Sequence, residues 1–142
     1  MKKSFCFILA AAVSVISAGL AAVAGAQEPE VRVVVYYFHG SFRCPTCNAM
    51  EKYSREAIET NYGDALKAGE LEFMAVNVED RGNEHFVKDY GLYTKALILS
   101  LVKDGKEVRS KNLNKIWELA KNKKKFVDYV AVEIGEFMKG AQ

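Results

Sequence analysis

The chain has 142 residues, half of them hydrophobic and 27% charged, with 20 basic against 18 acidic side chains and a formal net charge of +2 at pH 7. That length supports one compact domain with a modest core. A charge balance so close to zero offers no basic face for nucleic acid, and that class of partner is set aside.

The chain opens M-K-K-S-F-C-F-I-L-A-A-A-V-S-V-I-S-A-G-L-A-A-V-A-G-A-Q-E, two lysines and a long uncharged apolar run that ends in Ala24-Gly25-Ala26. Small residues at the minus-three and minus-one positions make this a secretory signal peptide over residues 1–26, with residues 27–142 as a single mature domain. The run is almost long enough to span a bilayer, so an uncleaved anchor is the competing reading. The Ala-rich end and the A-x-A site favour cleavage, which restricts membrane contact to the signal segment and places the mature protein in the periplasm or outside the cell. Cleavage removes Lys2, Lys3 and no acid, which balances the mature charges. It also removes Cys6, which has no assigned role, and leaves Cys44 and Cys47 in a compartment that permits a disulfide.

Val31 to His39, V-R-V-V-V-Y-Y-F-H, is almost continuously apolar and rich in β-branched and aromatic residues, which predicts a central strand buried on both faces. Gly40 to Arg43 make a short loop. Cys44-Pro45 then suits a helix start, since proline at the first helical position loses only an N–H without an intrahelical partner. Met50, Tyr53, Ala57, Ile58, Tyr62 and Leu66 form an inward stripe that carries this helix to about Leu66, with Glu51, Lys52 and Arg55 outside. Leu71 to Val78 reads as a second strand and Asn83 to Tyr90 as a short helix before Gly91. Ala96 to Val102 is a third strand, joined by Asp104-Gly105 to an antiparallel partner at Glu107 to Ser110. Helical spacing returns in two pieces, Leu113 to Lys121 and Phe126 to Lys139. Lys123-Lys124-Lys125 is expected to be a solvated junction between them, because three cations would face the positive end of a helix dipole. The aromatic residues, Trp117 among them, mostly fall at core positions.

The chemistry sits in R-C-P-T-C, residues 43–47. Disulfide exchange needs one exposed thiolate to attack and a second thiol close enough to resolve the mixed disulfide, and two intervening residues at a helix start provide both. Cys44 is expected to attack and Cys47 to resolve. The helix field and the Arg43 charge should lower the Cys44 pKa, with Pro45 and Thr46 shaping the same turn. A lower pKa changes the rate of attack little, because lost nucleophilicity offsets gained thiolate; its larger effect is on leaving ability and on redox potential. Two other readings compete. One is a metal carrier built from Cys44, Cys47, His39 and His85, since soft thiolates select Cu(I) and a closed zinc site wants four ligands. The other is a purely structural staple, for which so short a loop is inefficient.

The order β, α, β, α, β, β, α, with a CxxC at the first helix start, Y-G-L-Y-T-K-A-L-I-L-S-L before the third strand and V-K-D-G-K-E-V as a closing hairpin, resembles the thioredoxin fold over most of residues 31–139. The resemblance implies an α/β three-layer fold with a mixed sheet of about four strands flanked by helices, and thiol:disulfide oxidoreductase activity toward protein thiols or disulfides or a redox partner protein. It implies no cofactor beyond a redox-active Cys44–Cys47 disulfide, and it puts Thr94 and Lys95 in the substrate groove. V-Y-Y-F-H-G-S-F-R-C-P-T-C and N-L-N-K-I-W-E-L also resemble an exported ArsF family labelled nitrophenyl compound nitroreductase subunit, which would make the chain a partner subunit. Three departures from the thioredoxin pattern stand out. The cis-proline before the third strand is missing, which implies a trans bond there and a differently shaped groove. The buried acid six residues before the first cysteine is Phe38, and the aromatic residue before that cysteine is Arg43.

Overall fold

The computed structural model describes residues 30–140; the signal peptide expected over residues 1–26 lies outside them. Nine elements follow in order: β1 (Val31–His39), α1 (Pro45–Asn61), α2 (Gly63–Lys67), β2 (Leu71–Asn77), α3 (His85–Asp89), β3 (Ala96–Lys103), β4 (Lys106–Asn112), α4 (Ile116–Leu119) and α5 (Lys123–Lys139). The strands form one sheet in the order β2-β1-β3-β4. β1 runs parallel to β2 and antiparallel to β3, and β4 closes the edge antiparallel to β3. This is the expected α/β arrangement of a four-stranded mixed sheet flanked by helices.

The apolar run of β1 earns its central place because both of its faces are covered, and Val33, Val34, Val35, Tyr37 and Phe38 are all buried. On one face Val33, Val35 and Tyr37 join Leu97, Leu99 and Leu101 of β3 beneath α1 and α5, which contribute Met50, Ala57, Ile58, Phe126, Val130, Ile134 and Phe137. On the other face Phe38, Val76, Ala96 and Ile98 make a smaller cluster, flanked by Tyr36, Phe86 and Tyr90 near α3. The Asp104-Gly105 turn has positive φ at both residues (50° and 73°), the geometry that joins β3 to β4 with the twist of the strands. β4 is exposed at every residue.

Four expectations are corrected. The first helix stops at Asn61 rather than Leu66, because Tyr62 (φ −133°, ψ 26°) leaves helical geometry and α2 restarts at Gly63. Tyr62 turns instead to donate its hydroxyl to the Ala131 carbonyl on α5, where Gly135 leaves room: a Cβ there would lie 2.8 Å from that oxygen. The helix expected over residues 113–121 shrinks to the single turn of α4, with Leu113 and Ile116 buried. The lysine run is not a junction but the first turn of α5. Asn122 caps it by accepting from the Lys125 N–H, while Lys123 pairs with Glu56 (2.8 Å) and Lys124 with Asp128 (2.6 Å), and these anions offset the unfavourable dipole. Finally, Trp117 is not core: it is 42% exposed, with its indole N–H donated to the Lys95 carbonyl (3.0 Å).

Candidate functional site

β1 delivers the chain to the site. At its last residue the His39 carbonyl accepts from the Val78 N–H (2.8 Å), after which the chain leaves the sheet through Gly40 to Arg43. Cys44 is the N-cap of α1 in extended geometry (φ −80°, ψ 160°), and Pro45 occupies the first turn, where its missing N–H does no harm. Cys44 Sγ accepts the Cys47 backbone N–H (3.2 Å), and Asn48 N–H closes the first turn on the Cys44 carbonyl (3.0 Å). The sulfur therefore takes the position usually filled by a capping oxygen, within the field of unpaired amides at the start of a 17-residue helix.

Cys44 and Cys47 form a disulfide with their Cα atoms 5.1 Å apart. The two sulfur-bearing residues are not equivalent, since Cys44 is partly exposed and Cys47 is only 1% exposed. Thr46 lies on the exposed side of the same turn.

Side chains from three elements hold this loop. From β1, the fully buried Tyr37 donates its hydroxyl to the Cys47 carbonyl (2.8 Å), and burial pushes its pKa up to about 12. From α1, the carboxylate of Glu51 receives Arg43, whose second amino group lies 3.2 Å from His39 Nε2. Since guanidinium can only donate, that nitrogen is the acceptor, which assigns the proton to Nδ1, where it donates to the Gly40 carbonyl (2.9 Å). From the turn after β2, Glu79 accepts the Ser41 N–H (3.1 Å), and from the last residue of β2 Asn77 Nδ2 donates to Ser41 Oγ (3.2 Å). Hydrogen bonds from the Ser41 hydroxyl and N–H hold the Glu79 carboxyl below its usual value, assisted by the charge of Lys95. Gly40 is where this carboxylate makes its close approach, since a Cβ at that position would lie 2.5 Å from Glu79 Oε1.

The residues singled out by sequence are thus only partly brought together. Cys44, Cys47, Arg43, Pro45 and Thr46 make one turn, with His39 linked to it through Arg43. The Arg43 charge is not free to act on sulfur alone, because Glu51 neutralises it. Thr94 and Lys95 stand where β3 begins and line two clefts of about 230 and 240 Å³, one shared with Asn112, Asn114 and Trp117, the other with His39, Gly40 and Glu79. Neither cleft is lined by the cysteines. No cis peptide bond occurs among the described residues, so the bond before Ala96 is trans. The four alternative metal ligands do not assemble: His39 Nε2 is occupied by Arg43, and the exposed His85 donates to the Gly82 carbonyl (2.8 Å) and stacks near Phe86. Among the described residues no three His, Cys, Asp or Glu side chains gather as a metal centre. Phe38, at the position of the thioredoxin acid, is packed with Phe86 (5.0 Å between ring centroids) and Tyr90 (5.3 Å).

Sequence reasoning missed Tyr37, Glu51, Asn77 and Glu79. Only Glu51 had a local signal, an acid two turns into the helix and eight residues after Arg43; Tyr37 reaches from β1 to the helix that follows it, and Asn77 and Glu79 act on a loop far from them in sequence.

No protein-family model matches the chain, and no curated protein does. Among solved structures it is similar to Fasciola hepatica thioredoxin at 26% identity and TM-score 0.33, over 63% of this chain and 79% of that one. It is also similar to oxidized thioredoxin O2 from Arabidopsis thaliana (14% identity, TM-score 0.40, 66% of this chain and 74% of that one). A third similar structure is Chlamydomonas reinhardtii thioredoxin f2 (14%, TM-score 0.38, 66% and 81%).

Proposed function

We propose that the protein is an exported thiol:disulfide oxidoreductase that exchanges disulfides with protein partners through Cys44. One observation carries this reading: a partly exposed sulfur at the N-cap of α1 accepts an amide N–H and is bonded to a second sulfur buried beneath it. The exposed sulfur is reachable by a partner and the buried one is not, which gives the two cysteines separate roles.

In the oxidising direction a partner thiolate attacks Cys44 Sγ, the Cys44–Cys47 bond breaks, and Cys47 leaves as a thiolate that takes up a proton. A second partner thiolate then attacks the partner sulfur of the mixed disulfide and releases Cys44 as the thiolate that the helix start stabilises. The partner dithiol becomes a disulfide while the Cys44–Cys47 disulfide becomes a dithiol. The reverse reaction runs through the same mixed disulfide, with reduced Cys44 attacking and Cys47 resolving. Tyr37 keeps its proton at neutral pH and acts by holding the Cys47 turn, while Thr94, Lys95 and Trp117 border the surface along which a partner chain would lie. The nitroreductase-subunit resemblance adds no residue to this reading.

The test is a redox titration of the wild type in glutathione buffers alongside Cys44→Ser and Cys47→Ser. The wild type should cycle between about −270 and −120 mV, the span of known CxxC proteins. Cys47→Ser should accumulate mixed disulfides that Cys44→Ser does not form. A pair that stays oxidised or reduced across that span, with no Cys44 adduct, overturns the proposal. Export has its own readout: protein recovered from expressing cells should begin at Gln27.

A further inference from the structure

We infer that the partner carries an acidic segment beside its reactive cysteine, and that this segment docks on a cationic face of α1. The inference rests on the exchange reading above and names the class of partner that reading leaves open.

Asn48, Glu51, Lys52 and Arg55 follow one another at helical spacing, and with Arg43 they line an open, shallow cleft of about 390 Å³. The cleft begins at residues adjoining both cysteines, Arg43 before Cys44 and Asn48 after Cys47. It holds three cations and one carboxylate. Both oxygens of that carboxylate are engaged, one by Arg43 and the other by Arg55 at 3.6 Å. Lys52 is exposed and has no ion pair among the described residues. Arg55 lies over the Phe73 ring (4.7 Å from Cζ to its centroid) with its side chain 48% exposed, which leaves guanidinium donors open to solvent. Of the other acids on this helix, Glu56 is paired with Lys123 (2.8 Å) and Glu59 lies one turn beyond Arg55, farther from the disulfide, while Glu79 is held by Ser41 on the other side of the loop. In a chain whose charges nearly balance, a local surplus of two positive charges next to the disulfide is a matter of position.

The shape selects the occupant. A small anionic ligand needs a concave site that buries most of its surface, whereas an open cation-lined helix face suits carboxylates strung along a polypeptide, which guanidinium grips in pairs. The helix rise puts Lys52 and Arg55 about 12 and 16 Å along the axis from Cys44, the reach of about four and five residues of extended chain. The acidic residues should therefore fall about four or five positions from the partner cysteine.

The test uses synthetic peptides with a single cysteine capped by thionitrobenzoate and flanked on both sides by Asp-Gly, Ser-Gly or Lys-Gly repeats. Reduced Cys44 attacks the peptide sulfur and expels the thionitrobenzoate anion, whose absorbance reports the rate; Cys47 then displaces the peptide as its thiol and restores the Cys44–Cys47 disulfide. Relative to the neutral peptide, the acidic one should react about tenfold faster at low ionic strength and the basic one more slowly, with both ratios approaching one in about 0.5 M salt. Lys52→Glu, an exposed change that disturbs no contact, should remove most of the acidic preference, and Lys52→Glu combined with Arg55→Glu should invert it. Equal rates for acidic and neutral peptides, or an acidic preference that survives both variants, overturn the docking inference while leaving exchange intact. No release from any of the three peptides overturns the exchange reading and this one with it.

Discussion

The two faces of the sheet are built to different standards. One is covered by α1 and α5, each of 17 residues, over a contiguous core that runs from Val33 to Phe137. The other is covered by the five-residue α3, and its buried cluster of Phe38, Val76, Ala96 and Ile98 is completed by half-buried aromatic rings. Cys44 and Cys47 belong to the first face, where the helix bearing them is anchored by Met50, Ala57 and Ile58. The clefts around Thr94 and Lys95 lie at the rim, one beside the second face and the other reaching Ile116 of the first core. The reacting sulfurs are therefore held by the part of the molecule most costly to deform, and the rim that a partner would cross is held in part by the face less costly to deform.

Substitution on each face breaks or sharpens that contrast. Phe126→Ala, at a fully buried ring edge-on to Tyr53 (5.7 Å between centroids), should cost about 4 kcal/mol in denaturant unfolding. Phe86→Ala, half-buried on the thin face, should cost about 2 kcal/mol. Equal costs would mean that the smaller cluster is as binding as the large core. Tyr37→Phe should cost between about 1 and 2 kcal/mol, since it removes one donor from the buried Cys47 carbonyl but keeps the ring.

Tyr37 also has a pH signature. Its folded pKa is raised from 10.0 to about 12, so the stability it contributes is complete below the unfolded value and is lost as pH climbs through the folded one. Alkaline unfolding curves should fall less steeply over that window in Tyr37→Phe. The smallest effect belongs to the exposed Glu79. Its folded pKa lies below 4.5, so its contribution is present above that value and disappears as pH drops through the depressed one. Glu79→Gln should flatten the acid limb of the urea midpoint against pH and leave the neutral region close to wild type.

Much of this architecture could be read in advance, for reasons visible in particular residues. V-R-V-V-V-Y-Y-F-H has no polar alternation and so declares a strand with no solvent face; Asp104-Gly105 matches a turn that demands positive φ twice. The cysteine pair was legible because its spacing and Pro45 belong to one helical turn. The chain of contacts that holds it was not. Tyr37 to Cys47 and Ser41 to Glu79 are meetings across separate elements, and no periodicity encodes them. Local rules also lost to tertiary ones. The dipole argument against Lys123 to Lys125 is sound for an isolated helix, but Glu56 on a neighbouring helix and the Asn122 cap reverse it. Trp117 fits an apolar stripe, yet α4 is one turn long, and Ile116 rather than the indole takes the core side.

The open margin of the sheet has a consequence for how these molecules treat one another. K-E-V-R-S-K-N in β4 offers a row of backbone groups to any strand that arrives, but a second copy would have to bring its own Lys106 and Arg109 against the same two charges, Lys111 being paired with Glu133. Strand addition by a second copy is thereby discouraged at this border, which is guarded by charge rather than by a covering element.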